Sequence, residues 1–446
     1  MFSKAVLTDS LTSYSSCRIV CYVTIFLYVL TDNVPNDAVA AMKKRIIYKT
    51  SILKELYFTH HCSCAHLSEK TGRSFPFIQK LLNEMVSEEL IEASGVAPST
   101  GGRRAVTYSI KSDTMYILSV AMDQMIAMVS VMDIRNNHII GVEEFELMLN
   151  DPSSLKKLKE KIEEVIAKSG VDRAKIIGVG LGMPGFIDFK KGENYTYFNT
   201  GGKPVTKYLM EKLGMPVYLD NDSSLTALAE FRFGAAKHQR NSMVINVGWG
   251  IGLGMILNGE LFRGHNGFAG EFSHMPLFNN NKMCQCGKTG CLETESSLLV
   301  LIEKAREGLI GGRLSSLKKN FNTGDLEKDW RAVVTAALNG DQFVIKILSE
   351  IGYNIGKGIA ILIHLVNPES VILSGRGAVV GKLWLAPIQQ ALNEHCIPRL
   401  SVNTSIGLSS LSDHAFLIGC SALVIEHLDS DPDIYMRISN AKKFSA

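Results

Sequence analysis

His274, Cys284, Cys286 and Cys291 are the residues of this chain whose types and spacing define a chemistry most directly. They fall in HMPLFNNNKMCQCGKTGCLE, residues 274–293, an imidazole followed by three thiols on a glycine-bearing loop. Zinc favours tetrahedral coordination by thiolate and imidazole. The turn Cys286-Gly287-Lys288-Thr289-Gly290-Cys291 lets the backbone fold back so that separated sulfurs converge. With His274 the set is Cys3His. Four protein ligands leave no open position for an activated water, so the expected zinc is structural and not catalytic. The alternative is three buried free thiols, the less common outcome for short cysteine spacings around glycine in a reduced compartment.

A second group of candidates surrounds Asp220-Asn221-Asp222. The strand expected at 217–219 runs into these polar residues and then into a helix at 223–233, and such strand-to-helix junctions are where α/β proteins put ligand groups. The run Gly248-Trp249-Gly250-Ile251-Gly252-Leu253-Gly254 reads as a glycine turn after a strand at 243–247. Its alternate glycines would let backbone N–H groups approach a ligand or another strand closely. Gly264-His265-Asn266-Gly267-Phe268-Ala269-Gly270-Glu271 follows, then the cysteine loop. Strands at 115–120 and 126–134, an amphipathic helix at 155–167 and a buried strand at 176–183 precede this region. A helix at 351–366 stops at Asn367-Pro368, and a strand at 370–373 leads into Gly375-Arg376-Gly377. No internal repeat is visible.

Residues 50–110 have a different character. Ile52, Leu53, Leu56 and Tyr57 form one helical face; Ala65 and Leu67 begin a short second helix ending at Thr71-Gly72. Ser74 caps a third helix with Pro76 in its first turn, and Ile78, Leu81, Leu82 and Met85 face the core. The stretch 95–110 reads as a glycine-tipped hairpin carrying Arg103 and Arg104. This is a winged helix-turn-helix. Its third helix would expose Ser74, Phe75, Phe77, Gln79 and Lys80 to a DNA major groove while the wing arginines reach the minor groove. Phe77 either meets a thymine methyl or packs.

Composition sets the bounds. A chain of 446 residues, 46% hydrophobic and 20% charged, can bury sizeable cores and is long enough for two to four domains. The net charge of +3 is unremarkable, but residues 42–110 hold ten Lys/Arg against six Asp/Glu, so the basic character sits at the front. Nine cysteines without framework spacing indicate a reducing cytoplasm, not a disulfide scaffold. The apolar run IVCYVTIFLYVL at 19–30, followed by Ala38-Val39-Ala40, resembles a secretory signal. It falls short of the about 20 apolar residues a membrane span needs. The reading taken is that residues 1–41 are a non-native or disordered extension and that Met42-Lys43-Lys44-Arg45 is the natural start; a membrane anchor is the alternative.

Taken together, these residues resemble the ROK family of repressors, open reading frames and kinases, in the branch similar to N-acetylglucosamine and xylose repressors. The resemblance covers residues 48 to roughly 425 and is carried above all by Gly270-Glu271-Phe272-Ser273-His274 and by the loop from Cys284 to Glu293. It implies an α/β chain in which a winged helix-turn-helix at 42–110 precedes an actin-like (RNase H-like), two-lobed sugar-kinase fold. The first lobe would be 111–235 and the second 236–446, with the C-terminal helix returning to the first. It also implies a sugar cleft between the lobes, zinc on the cysteines and histidine, and a homodimer or homotetramer. By the same resemblance Asn221, Asp222, Glu271 and Glu293 bind sugar, with Asn199 a further candidate and His274 serving both sugar and metal. Such a cleft suits hydroxyls that donate and accept at once. Without a sugar, Asp222 would be a helix N-terminal acid stabilised by the dipole.

Kinases of the family carry an Asp-x-Gly-Gly-Thr hairpin against which phosphate packs. Here the matching stretch is Asp123-Gln124-Met125-Ile126, whose side chains obstruct such an approach. Trp249 stands where kinases have threonine, and Arg376 interrupts the adenosine-side turn. The expectation is therefore a cytoplasmic repressor without enzymatic activity that binds operator DNA and answers to a sugar or sugar phosphate, with no membrane partner. The alternative is a hexose or N-acetylhexosamine kinase with an appended DNA-binding domain, in which Asp222 would be the general base.

Overall fold

The computed structural model describes residues 36–96, 104–198, 200–319, 321–411, 414–431, 434–435 and 437–438. They divide into two compact units. The first comprises the chain up to Thr114 together with 210–216 and the residues from Glu426 on. It starts with helix α1 (Asn36–Thr59), then β1 (Cys62–Ser63), α2 (Cys64–Thr71), α3 (Phe75–Ser87), β2 (Ile91–Val96) and β3 (Val106–Ile110). Ile52, Leu53, Leu56, Leu67, Ile78, Leu81, Leu82 and Met85 are buried together between the helices and the small sheet, whose order is β1-β3-β2.

Local chemistry explains these boundaries. Ser63 Oγ accepts from His66 N–H to cap α2, and Gly72 closes that helix at φ 63°, a left-handed conformation that costs glycine little. Ser74 does occupy the cap position of α3, but its side chain makes no capping bond. Pro76 removes one of the two N–H groups such a cap would bind and leaves that of Phe77. Helix α1 includes residues 36–41, ahead of Met42; the alanines at 38, 40 and 41 continue the helix readily. The segments 210–216 and 426–438 sit with this unit because their partners do. Lys54 Nζ bonds Asp429 Oδ1 at 3.2 Å, the Tyr435 hydroxyl donates to Glu88 Oε2 at 3.3 Å, and Arg437 donates to the Gly214 carbonyl.

The second unit holds two five-stranded sheets. The first is built from β4 (Tyr116–Met122), β5 (Ile126–Met132), β6 (Glu143–Glu146), β7 (Ile176–Met183) and β10 (Val217–Asn221), in the order β10-β7-β4-β5-β6. Helix α4 (Ser154–Ser169), the short pair β8 (Ile187–Asp188) and β9 (Glu193–Asn194), and α5 (Val205–Leu213) lie between these strands in sequence. Helix α6 (Asp222–Phe233) leads to the second sheet, made of β11 (Ser242–Val247), β12 (Ile251–Leu257), β13 (Glu260–Phe262), β14 (Ser370–Ser374) and β15 (Ser405–Leu408) in the order β13-β12-β11-β14-β15. Each sheet is a three-stranded antiparallel meander extended by two parallel strands, the same plan used twice. This is the two-lobed α/β architecture expected of an actin-like fold.

Helices α7 (Leu298–Ile310), α8 (Leu326–Leu338), α9 (Gln342–Val366) and α10 (Leu385–His395) build the core of the second lobe with Ile245, Leu373, Ile355 and Trp384. The short α11 (Pro398–Ser401) follows, and α12 (Ala415–Glu426) packs on the first sheet, where Ser421 Oγ meets Ser119 Oγ at 2.7 Å and Cys420 Sγ reaches the Val120 carbonyl at 3.3 Å. Among the described residues no helix is long and apolar enough to cross a membrane.

Candidate functional site

A cavity of about 400 Å³ opens between the two sheets, and its walls come from turns at the strand ends. At the end of β10 three consecutive polar residues do three different things. Asp220 is buried and accepts from Arg263 Nε at 2.8 Å and Nη2 at 2.6 Å. Asn221 caps α6, its Oδ1 accepting from Ser223 N–H at 2.9 Å and Ser224 N–H at 3.3 Å. Asp222 opens the helix and lines the cavity, with Oδ1 accepting from Ser223 N–H at 2.8 Å. Burial raises the Asp222 carboxyl, the Ser223 hydrogen bonds oppose that, and the charges of Asp123 and Glu271 add to it; the result is about 6 against an ordinary 3.8.

The alternate glycines of 248–254 have a different use from the one expected. Only the first part is a turn; Gly252 and Gly254 lie within β12, and what approaches them is α6. A Cβ on Gly252 would stand 1.8 Å from Ser223 Oγ, and one on Gly254 would stand 2.5 Å from the Ser223 carbonyl oxygen. Glycine thus lets the first turn of α6 rest on the strand, which sets the position of Asp222. Gly250 makes room in the same way for Glu293, whose Oε2 would lie 2.8 Å from a Cβ there and accepts from Ile251 N–H at 3.4 Å.

Glu271 and Glu293 reach the cavity from the two ends of the cysteine segment. Burial raises the Glu271 carboxyl, His274 lowers it and Glu293 raises it again. Between them, His274 Nδ1 lies 3.5 Å from Cys284 Sγ, and the sulfurs of Cys286 and Cys291 are 3.6 Å apart. All four potential ligand atoms fall within 4.8 Å of one another. Bond lengths of about 2.0–2.3 Å around a tetrahedral zinc put neighbouring ligand atoms roughly 3.3–3.8 Å apart, so the set fits such an ion. The loop folds back through Gly287 at φ 80° and Gly290 at φ 78°; a Cβ on Gly290 would stand 2.1 Å from the Phe278 carbonyl oxygen. Burial, with the neighbouring thiols, pushes the Cys291 thiol up to about 12, and burial raises Cys284, whereas at Cys286 burial is outweighed by hydrogen bonds from Lys288 N–H and the other two thiols, which lower it; a bound cation would favour the thiolate of all three. His274 turns its other nitrogen, Nε2, toward Glu271 Oε2 at 3.7 Å, the carboxylate-histidine pairing that orients metal ligands.

Two of the departures from the kinase pattern, Trp249 and Arg376, meet in space beside Asp123, the hairpin residue that keeps to it. Asp123 folds its own turn, Oδ1 accepting from Met125 N–H at 2.8 Å and Ile126 N–H at 2.7 Å. Its other oxygen lies 3.5 Å from Arg376 Nη2, and Arg376 also pairs with Glu327. The Arg376 guanidinium sits over the Trp249 ring, 5.0 Å from its centre, while the Trp249 indole N–H is buried without a hydrogen-bond partner. Met125 packs against the core of the second lobe.

Several contributors escaped the sequence reading. Tyr197 lines the cavity, and its hydroxyl is raised by burial and by the charges of Asp222 and Glu293; its place in the polar stretch 194–200 was the available hint. Arg263 and Glu327 gave no local signal. Asn199 lies outside the described residues.

In the first unit, Ser74, Phe75 and Lys80 are exposed on α3. Phe77 is half-buried with its ring edge-to-face on Tyr48 at 5.4 Å, so it packs. Gln79 Nε2 donates to the Tyr108 hydroxyl and to Asn83 Oδ1, both at 3.0 Å, which ties it to the wing and its own helix. Exposed Arg73 and Asn83 belong to the same surface and were not foreseen. Arg104 is exposed, and Arg103 lies outside the described residues.

The sequence model of the ROK family matches residues 142–427. A xylose repressor of Caldicellulosiruptor bescii is 28% identical over 401 residues, which cover 87% of this chain and 97% of that protein. A glucokinase of Halalkalibacterium halodurans is 32% identical over 298 residues, 65% of this chain and 89% of the kinase. In structure, a ROK family transcriptional regulator that is a homolog of the Escherichia coli MLC protein superposes with a TM-score of 0.72 at 22% identity, covering 89% of this chain and all of that one.

Proposed function

The chain belongs to the ROK family, and from that premise we propose that it is a cytoplasmic, sugar-responsive transcriptional repressor that binds operator DNA as a homodimer or homotetramer. The observation that carries this reading is the meeting of Arg376 with Trp249 beside the hairpin Asp123-Gln124-Met125-Ile126, which lacks the kinase glycines. Where a kinase of the family would need open backbone for phosphate, this chain has an arginine held by two carboxylates and stacked on an indole. In the sugar half, Asp222, Glu271 and Glu293 would pair with hydroxyls, Asn221 would add its amide nitrogen, and Asn199 would extend the set. Polar groups left unpaired by a wrong sugar supply the discrimination. Zinc on His274, Cys284, Cys286 and Cys291 would hold that wall rigid and contribute to folding. On the DNA side, Ser74, Phe75 and Lys80 would face bases, Gln79 would shape the helix face, and Arg73, Arg103 and Arg104 would meet phosphates or the minor groove. Ligand and operator are coupled if the sugar prefers one of two arrangements of the cleft.

A kinase reading has one observation in its favour. Asp222, with a carboxyl value of about 6, has the basicity a general base needs. One experiment separates the two readings. Purified protein is footprinted on DNA upstream of its own gene with and without a panel of hexoses, pentoses, amino sugars and their phosphates, and the same mixtures are assayed for ATP consumption. The repressor reading expects a footprint that a sugar changes and no turnover. Turnover of about 1 s⁻¹ or more on any sugar restores the kinase.

A further inference from the structure

Three aromatic rings stand at the mouth of the cleft beside the carboxylates. Phe186, between β7 and β8, and Tyr195, just after β9, are exposed large side chains. Phe268 comes from the strap that links β13 to Glu271. Its ring meets Phe186 edge-on at 5.5 Å and Tyr195 edge-on at 6.1 Å. The arrangement is held by backbone and not by the rings alone. Gly267, at φ 96°, brings the strap so close to β8 that a Cβ there would lie 2.8 Å from the Ile187 carbonyl oxygen. Phe186 N–H donates to Thr196 Oγ1 at 3.0 Å, and Tyr195 N–H donates to the Phe186 carbonyl at 2.9 Å. Lys191 Nζ, 3.3 Å from the Tyr195 hydroxyl, is itself paired with Asp188. Phe186 and Phe268 line the same cavity as Asp222 and Glu271.

The charge of that cavity is one-sided. Asp222, Glu271 and Glu293 face it, and Asp123, Glu144 and Glu327 also line it, whereas Arg331 and Arg376, the lysine or arginine residues among its described lining, are both paired with Glu327. A phosphate brought against the three carboxylates would be repelled in a partly dry space where charges are weakly screened. A ring with an apolar face would instead cover exposed aromatic surface that otherwise stays in water.

We infer that the cleft takes an unphosphorylated glycoside of at least two units, whose first sugar pairs with the carboxylates and whose second ring lies on Phe186, Tyr195 and Phe268. This rests on the sugar-cleft reading above and adds the class of ligand.

The test measures dissociation constants of the full-length protein for glucose, xylose and N-acetylglucosamine, for their phosphates, for the matching β-linked disaccharides and for the nitrophenyl glycosides. The disaccharide or nitrophenyl glycoside of at least one sugar should bind tenfold or more tightly than the free sugar, and the phosphate of that sugar more weakly than it. Separate Phe268→Leu and Phe186→Ala variants, the second at an exposed position, should bring the glycoside-to-sugar ratio down to about one. Free sugars that bind as well as their glycosides, phosphates that bind best, or a ratio unmoved in both variants would overturn the inference while leaving the sugar cleft standing. Failure of every sugar, glycoside and phosphate to bind would remove the cleft reading itself and the inference with it.

Discussion

In the ligand-free protein the ionised Asp222 carboxylate destabilises the fold. Its carboxyl is held at about 6 against an ordinary 3.8, so the folded state binds the proton more tightly than the unfolded one. Stability therefore falls as pH rises from about 4 to 6, and the whole cost stands above that range. Asp222→Asn should stabilise the ligand-free protein at pH 7.5 by about 1–2 kcal/mol, an amount discounted because the side chain borders an open cavity, and the gain should vanish near pH 4. Urea melts of both proteins at the two pH values check this. Cys286→Ser should lower the zinc content well below one per chain and reduce the melting temperature, as should a chelator acting on the wild type; metal analysis and calorimetry give the answer. The cysteine cluster and the carboxylates at the strand end could be read from sequence because each is local in the chain. Arg263 with Asp220, 43 residues apart, and Arg376 with Glu327, 49 apart, become partners only through the fold.

Helices are seated on sheets here by missing side chains. Gly252 and Gly254 admit α6 onto β12, and Gly180 and Gly182 admit α12 onto β7, where a Cβ on Gly180 would stand 1.9 Å from the Cys420 carbonyl oxygen. Gly252→Ala should push the start of α6 away from the strand, destabilise the protein by about 1–3 kcal/mol and weaken sugar binding together with it. Denaturant titration and a binding isotherm on the same sample would show both losses; unchanged stability would mean that the helix moves freely. Most strands and helices were legible from apolar periodicity, but boundaries and repetition were not. The helix expected from 351 begins at Gln342, because Asp341 caps it by accepting from Phe343 and Val344 N–H groups. The duplicated sheet plan leaves no trace in the sequence, since strand order constrains burial at each position and not residue identity.

At the scale of the whole molecule, basic charge gathers in the winged unit and acidic charge in the cleft, which suits two dissimilar ligands. Replacing Arg103 and Arg104 together by alanine should weaken operator binding and flatten its dependence on salt, because fewer counterions are released. Salt titration of the footprint measures this, and an unchanged slope would take the wing out of the DNA interface. The chain has three tryptophans. All three are buried in the core of the second lobe, and among them Trp249 also lines the cleft beneath the Arg376 cation. The colour of an indole's fluorescence follows the charges around its ring, so a ligand that shifts Arg376 should recolour the emission of one tryptophan in three. The protein then carries its own optical gauge of cleft occupancy, readable without a label, and Trp249→Phe should silence it.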